Sequence, residues 1–213
     1  MKLFAGILVF GSLWGFAECI LGSIFHEADL PAGAIMTGFF AIGLMVMSRM
    51  YYQQRGMQLG MGLVAGAMRL FNPFGGCFIC SAIAIAAEGA FFEIIWYKMS
   101  LNLQELHPLR MSVSMGIVSA YLLYVGGYIV TQILTPVVSS AGFYLENLIV
   151  FLPQIFSSGL LAALFGAVTI PTIISLRNLK MSTQDRLYYP TTFGISLVCW
   201  CIVIVNTILT LGS

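Results

Sequence analysis

Charge is the scarcest property of this sequence. Only 8% of its 213 residues are charged, with 9 Lys and Arg against 8 Asp and Glu, and there are 2 histidines. Soluble domains carry about 25% charged residues, so this composition cannot cover a water-facing surface. The formal net charge of +1 also provides no basic surface of the kind that binds nucleic acid. We therefore expect no nucleic-acid partner.

The motifs of nucleotide and cofactor chemistry are also missing. The sequence contains neither a Walker loop nor a dinucleotide fingerprint, so any energy input must come from another subunit or from an ion gradient. His26 and His107 fall on opposite membrane faces in the topology given below, which excludes a haem held by both. On the outer face, His26, Glu27 and Asp29, with Cys77, match no known metal-ligand spacing. We expect no metal, no cofactor and no enzymatic activity.

Apolar residues, in contrast, are abundant and occur in long runs. They make up 60% of the chain, and the mean hydropathy is +0.97. Because a bilayer core about 30 Å thick is crossed by a helix of about 20 apolar residues, we predict an all-α, polytopic transmembrane helix bundle. It would form a single integral membrane domain over residues 1–213, in the cell (plasma) membrane. About seven spans are expected, and six are possible because the third is short. The spans lie near residues 3–25, 31–51, 57–71, 76–97, 111–135, 148–175 and 192–211.

The few basic residues predict the orientation of these spans. With seven crossings, every basic residue except Arg69 falls on one side of the membrane. Because Lys and Arg are enriched in cytoplasmic loops, the N-terminus is expected in the cytoplasm. If the third segment entered and left by the same face, Lys98 and Arg110 would move to the wrong side. The residues on the basic side are Lys2, Arg49, Arg55, Lys98, Arg110, Arg177, Lys180 and Arg186.

An acidic residue inside the first span is the clearest functional signal. A carboxylate within a hydrophobic helix costs a few kcal/mol unless it faces a cavity or a partner, and Glu18 is in that position. Arg69, near the outer end of the third span, lies at a similar depth. Two interpretations of Arg69 stay open at this point. It could form an ion pair with Glu18, or it could bind an anionic group of a ligand.

The fourth span contains two more carboxyl groups, Glu88 near mid-membrane and Glu93 nearer the cytoplasm. Five residues separate them, which places them about 140° apart around a helix. One helix face therefore cannot hold both. We expect Glu88 to lie in the interior of the bundle and Glu93 to point elsewhere, towards a partner. For each, a protonated carboxyl that is hydrogen-bonded to backbone is the structural alternative.

Other polar side chains converge on the outer half of the predicted bundle. The fifth span carries Tyr121, Tyr124 and Tyr128 in one helical stripe, and such polar-tipped aromatics suit an interior wall. Polar residues of the sixth span, from Asn147 to Ser158, and of the seventh, from Trp200 to Thr210, are expected to join them. We predict an outward-facing pocket for a small solute. The predicted substrate-binding residues are Glu18, Arg69, Glu88, Tyr128, Trp14 and His26.

Small residues spaced four apart mark the first and third spans. Gly11 and Gly15 form one such pair, and Gly62 and Gly66 form another. This spacing lets two helix backbones approach closely. The contact could lie inside the bundle, or it could be a docking face for another membrane subunit. In the second case the chain could be a non-catalytic structural subunit of a larger complex.

Two cysteines at the start of the fourth span, Cys77 and Cys80, suggest a less favoured hypothesis. Cysteines three residues apart resemble a redox pair or half of a metal site. The chain would then be a thiol oxidoreductase similar to membrane disulfide-forming enzymes. Those enzymes present a second cysteine pair on an outer loop, whereas Cys19, Cys199 and Cys201 all lie within predicted helices.

A small, loop-poor bundle with small-residue faces on its first and third helices and an outward polar pocket resembles the substrate-binding S components of energy-coupling factor transporters. The resemblance implies that the chain docks a transmembrane coupling subunit, which two ATPases drive in trans, and that it captures a vitamin-like solute. It would place Gly11, Gly15, Gly62 and Gly66 on the docking face, and the solute near Glu18, Arg69, Glu88 and Tyr128. The chain lacks the early histidine of the nickel and cobalt members, so metal uptake is not expected.

Overall fold

The computed structural model describes residues 2–72, 78–98, 109–138, 145–176 and 185–211, and these residues form a bundle of helices. Two π-helical stretches interrupt the regular helices. Met36–Ala41 joins α2 to α3, and Ile94–Lys98 continues α5. The α-helices are α1 (Lys2–Glu27), α2 (Ala32–Ile35), α3 (Ile42–Tyr51), α4 (Met57–Leu70), α5 (Phe78–Glu93), α6 (Leu109–Val138), α7 (Leu145–Ser175) and α8 (Asp185–Leu211).

Six helical segments of the described chain are long and apolar enough to cross a membrane. The predicted third span, α4, is not among them, because its 14 residues cover only about 21 Å at 1.5 Å per residue. It nevertheless runs beside α1 and in the same direction. Gly11 lies against Val64, and Gly15, one turn further along, lies against Met68. The all-α membrane bundle is thus confirmed, with six full-length spans and one short helix.

The helices follow one another around the bundle in a simple order. Neighbours in contact are α1 with α4, α4 with α5, α5 with α6, and α6 with α7. The second segment, from α2 to α3, lies between α7 and α1 and also touches α4 and α6, while α8 packs against α1. Five helices and the second segment therefore surround one interior, and α8 lies outside that ring.

One end of the bundle collects basic residues of the described chain, with Arg69 as an exception, and we call it the basic end. The Tyr188 hydroxyl donates to the carbonyl oxygen of Lys2 at 3.4 Å, and Arg49 Nη2 donates to the carbonyl oxygen of Trp96 at 2.9 Å. The Arg49 guanidinium also lies 3.9 Å from the ring centroid of Tyr97. These contacts join α8 to α1, and α3 to the π-helical stretch that continues α5. The Tyr52 hydroxyl, just after α3, contacts the Tyr188 hydroxyl and links the two pairs, as the predicted clustering of positive charge requires.

The half of the bundle next to the basic end is filled with large apolar side chains. Trp14, Met45, Met57 and Phe92 are completely buried there, and Phe92 stacks on Trp96 with ring centroids 5.2 Å apart. Protein interiors reach the packing density of organic crystals, so this half leaves little room for a ligand. Any binding site must lie towards the opposite end.

The Glu93 side chain caps α4, which corrects the prediction that it faces a partner. Gly56, at the N-cap of α4, has a φ of 85° and no side chain that could accept the free N–H groups of the first turn. The Glu93 carboxylate accepts them instead, from the backbone N–H groups of Gly56, Gln58 and Leu59. A negative charge at a helix N-terminus also interacts favourably with the helix dipole. Glu93 therefore has an internal role.

The four glycines assigned to a docking face are buried inside the bundle, so that assignment is corrected. Gly11 and Gly15 lie against α4, and a Cβ on Gly15 would come 2.9 Å from the Met68 Cβ. Gly62 and Gly66 lie against α5, where a Cβ on Gly66 would come 2.8 Å from a backbone oxygen. Close packing within the chain, the alternative that the spacing left open, accounts for all four positions.

Replacing Gly66 by alanine should destabilise the isolated protein by about 1–3 kcal/mol, a typical cost of overpacking. The added methyl group would meet the backbone oxygen of Ala82, which cannot move without shifting α5. A matched control is Gly194→Ala on α8, where a Cβ would meet nothing within 4 Å. That variant should be neutral or more stable by about 0.5–1 kcal/mol. Detergent-based unfolding curves measure both, and equal stability of the two variants would argue that Gly66 does not pack internally.

Candidate functional site

A cavity of about 310 Å³ lies in the half of the bundle opposite the basic end. Four helices and the second segment contribute to its wall, and α4 contributes a single residue. The lining residues are Glu18, Gly22, Ser23 and His26 from α1, Ala32, Gly33, Met36 and Thr37 from the second segment, Arg69 from α4, Cys80, Ser81, Ala84, Ile85 and Glu88 from α5, and Tyr128 and Thr131 from α6.

The shortness of α4 helps to explain why there is space here. The Asn72 amide donates to the carbonyl oxygen of Cys19 at 3.0 Å, so the end of α4 lies level with Cys19. The first helix continues for eight more residues, to Glu27, which adds about 12 Å. Over that length the described part of α4 supplies nothing to the wall, and Arg69 in its last turn lies at the floor of the cavity.

Two carboxyl groups line the cavity from opposite helices. Because α1 runs parallel to α4 and α4 runs antiparallel to α5, α1 and α5 are antiparallel. Glu18 lies eight residues before His26 on α1, and Glu88 lies eight residues after Cys80 on α5. Glu18 is thus about 12 Å deeper than the exposed His26 along α1, and Glu88 lies the same distance from Cys80 along α5. Glu18 and Glu88 are close enough to repel each other electrostatically.

Glu88 is 4% exposed and has one hydrogen bond. Its Oε1 atom accepts from the Thr37 hydroxyl at 2.6 Å. Its Oε2 atom is also buried and has no hydrogen-bond partner among the described residues. The predicted interior position of Glu88 is confirmed, whereas its predicted alternative, a hydrogen bond to backbone, is replaced by one to a side chain. A buried, half-satisfied carboxyl group is costly, and this one lines a cavity.

Trp14 supports Glu18 from behind and does not line the cavity, which corrects its assignment to the binding surface. The Trp14 ring is fully buried in the apolar core, and its Nε1–H donates to Glu18 Oε1 at 3.1 Å. This bond joins side chains four residues apart on one helix face. It leaves Glu18 Oε2 on the side of Gly22, where a Cβ would lie 4.0 Å from that oxygen. Trp14 therefore orients the carboxylate.

Arg69 is 6% exposed, and its Nη1 donates to the carbonyl oxygen of Asn72 at 3.2 Å. It thereby satisfies a carbonyl group just beyond the end of α4, where helices leave acceptors unpaired. Its positive charge also attracts the Glu18 carboxylate. The two residues thus face the same cavity, as expected from their similar depth in the sequence-based topology. A cation in the last turn of a helix is further stabilised by the helix dipole.

The predicted tyrosine stripe divides between two environments. Tyr128 lines the cavity, and its ring lies 4.6 Å from that of the buried Tyr124. Tyr121, about one turn before Tyr124, instead lines an apolar groove between α6 and α7 with Leu122 and Leu160. The expectation of a single polar wall is therefore correct for Tyr128 and wrong for Tyr121.

Polar residues of the last two helices do not reach the cavity, contrary to the predicted convergence. Trp200 on α8 donates from Nε1 to the Ser12 hydroxyl at 3.2 Å and so joins α8 to α1. Gln154 and Asn206 are exposed on the outside of the bundle. The side chain of Asn147 lies outside the described residues. Among the residues described, the site is built from the first five predicted spans.

The sequence analysis missed Thr37, the partner of Glu88. A single threonine in an apolar span is common and gives no signal on its own. Its position in the π-helical stretch Met36–Ala41 is a structural feature that often marks functional sites, but no sequence pattern announces it. Ser23 and Thr131, two further polar residues of the wall, were missed for the same reason.

The described residues contain no cluster of three or more His, Cys, Asp and Glu that would hold a metal ion. Cys80 is disulfide-bonded and lines the cavity, while Cys19, Cys199 and Cys201 are free thiols. Cys77, the other half of the predicted cysteine pair, lies outside the described residues.

His26 does line the cavity, as predicted, and it lies at the exposed end of α1.

Replacing Thr37 by valine should destabilise the protein by about 1–3 kcal/mol, because Glu88 would lose its one described hydrogen bond while staying buried. Thr37→Ser keeps the hydroxyl group and should retain most of the stability. Thermal unfolding in detergent compares the two variants with the unmodified protein. If valine and serine cost the same, the bond between Thr37 and Glu88 contributes nothing and the assigned geometry is wrong.

Comparisons with known proteins give no family assignment. No protein-family model, no curated protein and no solved structure matches the chain. The arguments for a function therefore come from the cavity itself, from the charged side chains that line it, and from the helices that hold those side chains in place.

Proposed function

We propose that this multi-pass membrane protein is the substrate-capture subunit of an uptake transporter for a small, vitamin-like solute. The observation that carries the proposal is a cavity of about 310 Å³ in which Glu18, Glu88 and Arg69 meet. Charged side chains inside a membrane protein are costly and usually mark a substrate or ion pathway. Three of them around one hollow are more than a packing role requires.

The contrast between the two halves of the bundle supports this reading. Next to the basic end, the interior is filled by buried tryptophan, methionine and phenylalanine side chains. In the other half, the interior is a cavity whose wall includes the polar residues Ser23, Thr37 and Tyr128. A purely structural bundle gains nothing from a polar cavity, because empty volume forfeits packing contacts. A binding protein needs one.

The volume of the cavity suits a small organic solute. Each water molecule takes about 30 Å³ of liquid, so the space corresponds to about ten water molecules or about ten non-hydrogen atoms of a ligand. This lies at the lower end of the volumes of small-molecule pockets, about 300–1,000 Å³. A peptide or a lipid would need more room than the described walls leave.

The orientation of the cavity favours uptake from outside the cell. If the basic end faces the cytoplasm, as the positive-inside rule indicates, the mouth beside His26 faces outwards. In a plasma membrane, that arrangement would present the site to extracellular solutes. The chain has no nucleotide-binding motif, so release into the cell would depend on a transmembrane coupling subunit and ATPases in trans, as in energy-coupling factor transporters.

The alternative of a structural membrane subunit loses the two features that favoured it. Its predicted contacts were the glycine faces and Glu93. The glycines pack within the chain, and Glu93 caps α4. A coupling subunit would accordingly have to contact a different surface from the one that the resemblance implies. The capture function does not depend on those glycines.

Glu18→Gln should lower solute uptake, or the binding of a co-purified solute, by tenfold or more. Glutamine keeps the acceptor for the Trp14 N–H and the shape of the side chain, so the loss would report the missing charge. Native mass spectrometry of the gently purified protein identifies the retained solute, and cellular uptake of that solute is then measured. Arg69→Ala should have a similar effect.

Glu93→Gln is the control for these variants, because it removes a carboxylate from α5 at the basic end, away from the cavity. Its uptake should stay close to that of the unmodified protein once expression is matched. Unchanged uptake in both Glu18→Gln and Arg69→Ala, with folding intact, would contradict the proposed function. A protein that purifies with no small molecule and transports none would do the same.

A further inference from the structure

The charges that line the cavity do not balance. Glu18 and Glu88 each contribute a carboxyl group, while Arg69 contributes the one guanidinium of the wall, and His26 lies about 12 Å further out. Arg69 attracts Glu18, and both belong to the neighbouring helices α1 and α4. One guanidinium neutralises one carboxylate. Glu88 therefore has no countercharge among the described residues of the wall.

The hydrogen bonds at Glu88 also leave the site incomplete. Thr37 satisfies Oε1, but Oε2 has no partner among the described residues although the side chain is more than nine-tenths buried. A protonated carboxyl group at this position would still have one oxygen atom without a partner. Buried polar atoms are paired in the great majority of native proteins, so this oxygen is the atom at which a bound molecule would complete the site.

We propose that the cavity binds a small organic cation whose primary ammonium group pairs with Glu88. This inference rests on the proposed capture function and names the class of solute. The juxtaposition that carries it is that of Glu88 Oε2, the Glu18 carboxyl group and the Tyr128 hydroxyl on one small cavity. An ammonium group has three N–H donors and no acceptor, so three surrounding oxygen acceptors match it.

Two other classes of ligand match the wall less well. A divalent metal ion takes several oxygen or nitrogen ligands at about 2.0–2.6 Å, and no group of three suitable side chains occurs among the described residues. An anionic solute could reach Arg69, but it would bring a further negative charge beside two carboxyl groups. In the low-dielectric interior, like charges repel strongly. A monocation instead leaves the whole site neutral.

The aromatic side of the cavity suits the remainder of such a solute. Tyr128 lines the wall, and its ring centroid lies 4.6 Å from that of Tyr124, with the two rings tilted by 32°. The pair offers an apolar, polarisable surface beside the carboxyl groups. Cations are also attracted to the faces of tyrosine rings. A flat or ring-containing amine of about ten non-hydrogen atoms would fill the volume while its ammonium group lies at Glu88.

Three probes with one carbon skeleton test the class of solute directly. Benzylammonium, benzyl alcohol and benzoate are respectively cationic, neutral and anionic near neutral pH, and each is small enough for the cavity. Their binding to the purified protein is measured from the concentration dependence of the thermal unfolding midpoint, since a ligand that binds the folded state stabilises it. We expect benzylammonium to bind at least tenfold more tightly than either of the other two.

The same titrations on two variants locate the charge. In Glu88→Gln, which keeps an acceptor for Thr37, the preference for benzylammonium over benzyl alcohol should fall to less than twofold. In Glu93→Gln, the control on the same helix, it should be retained. Because the preference is a ratio within each variant, a general loss of stability does not affect it.

Each remaining outcome counts against the inference. A preference for benzoate or benzyl alcohol, or a preference for benzylammonium that survives in Glu88→Gln, would overturn it. So would the absence of binding by all three probes, since the cavity has room for each. If the protein still co-purifies with a solute or transports one, only the ammonium assignment fails. If it neither binds the probes nor retains or transports any solute, the capture function fails as well.

Discussion

The free energy of placing a carboxyl group in a low-dielectric interior governs this structure. A charge in the middle of a membrane bundle costs several kcal/mol unless hydrogen bonds, an opposite charge or water compensate it. Two such groups line one cavity of this chain. Glu18 receives the indole N–H of Trp14 and the attraction of Arg69, whereas the Thr37 hydroxyl is the one described donor to Glu88. The two carboxyl groups of the cavity therefore differ in how far the described residues compensate their burial.

The close packing of the basic half makes the hollow in the other half possible. Glycines at the crossings of α1 with α4, and of α4 with α5, bring backbones into contact, and van der Waals packing is a main source of stability for helices in a bilayer. The filled core around Trp14 and Phe92 then fixes the helix directions. The outer halves of the same helices can surround an open volume without collapsing into it.

Sequence reasoning found the features that depend on composition and on single, unusual residues. The membrane bundle follows from apolar runs, and Glu18, Glu88 and Arg69 stand out because ionisable residues are rare in such runs. Roles that depend on contacts between distant segments were not accessible. Glu93 lies 37 residues from Gly56, and nothing in the spacing indicates that one caps the helix of the other. Thr37 and Glu88, 51 residues apart, are a second example.

The short length of α4 connects these observations. Because α4 ends level with Cys19, its last turn lies inside the bundle and not at its surface. Arg69 satisfies one nearby carbonyl and carries the positive charge that a helix C-terminus favours, which explains why a basic residue occurs away from the basic end. Arg69 is thus already committed to the end of its own helix and to Glu18 beside it. In the proposed capture function, Glu88 on the opposite wall is therefore the carboxyl group left for a bound molecule, and a positively charged group would compensate it best.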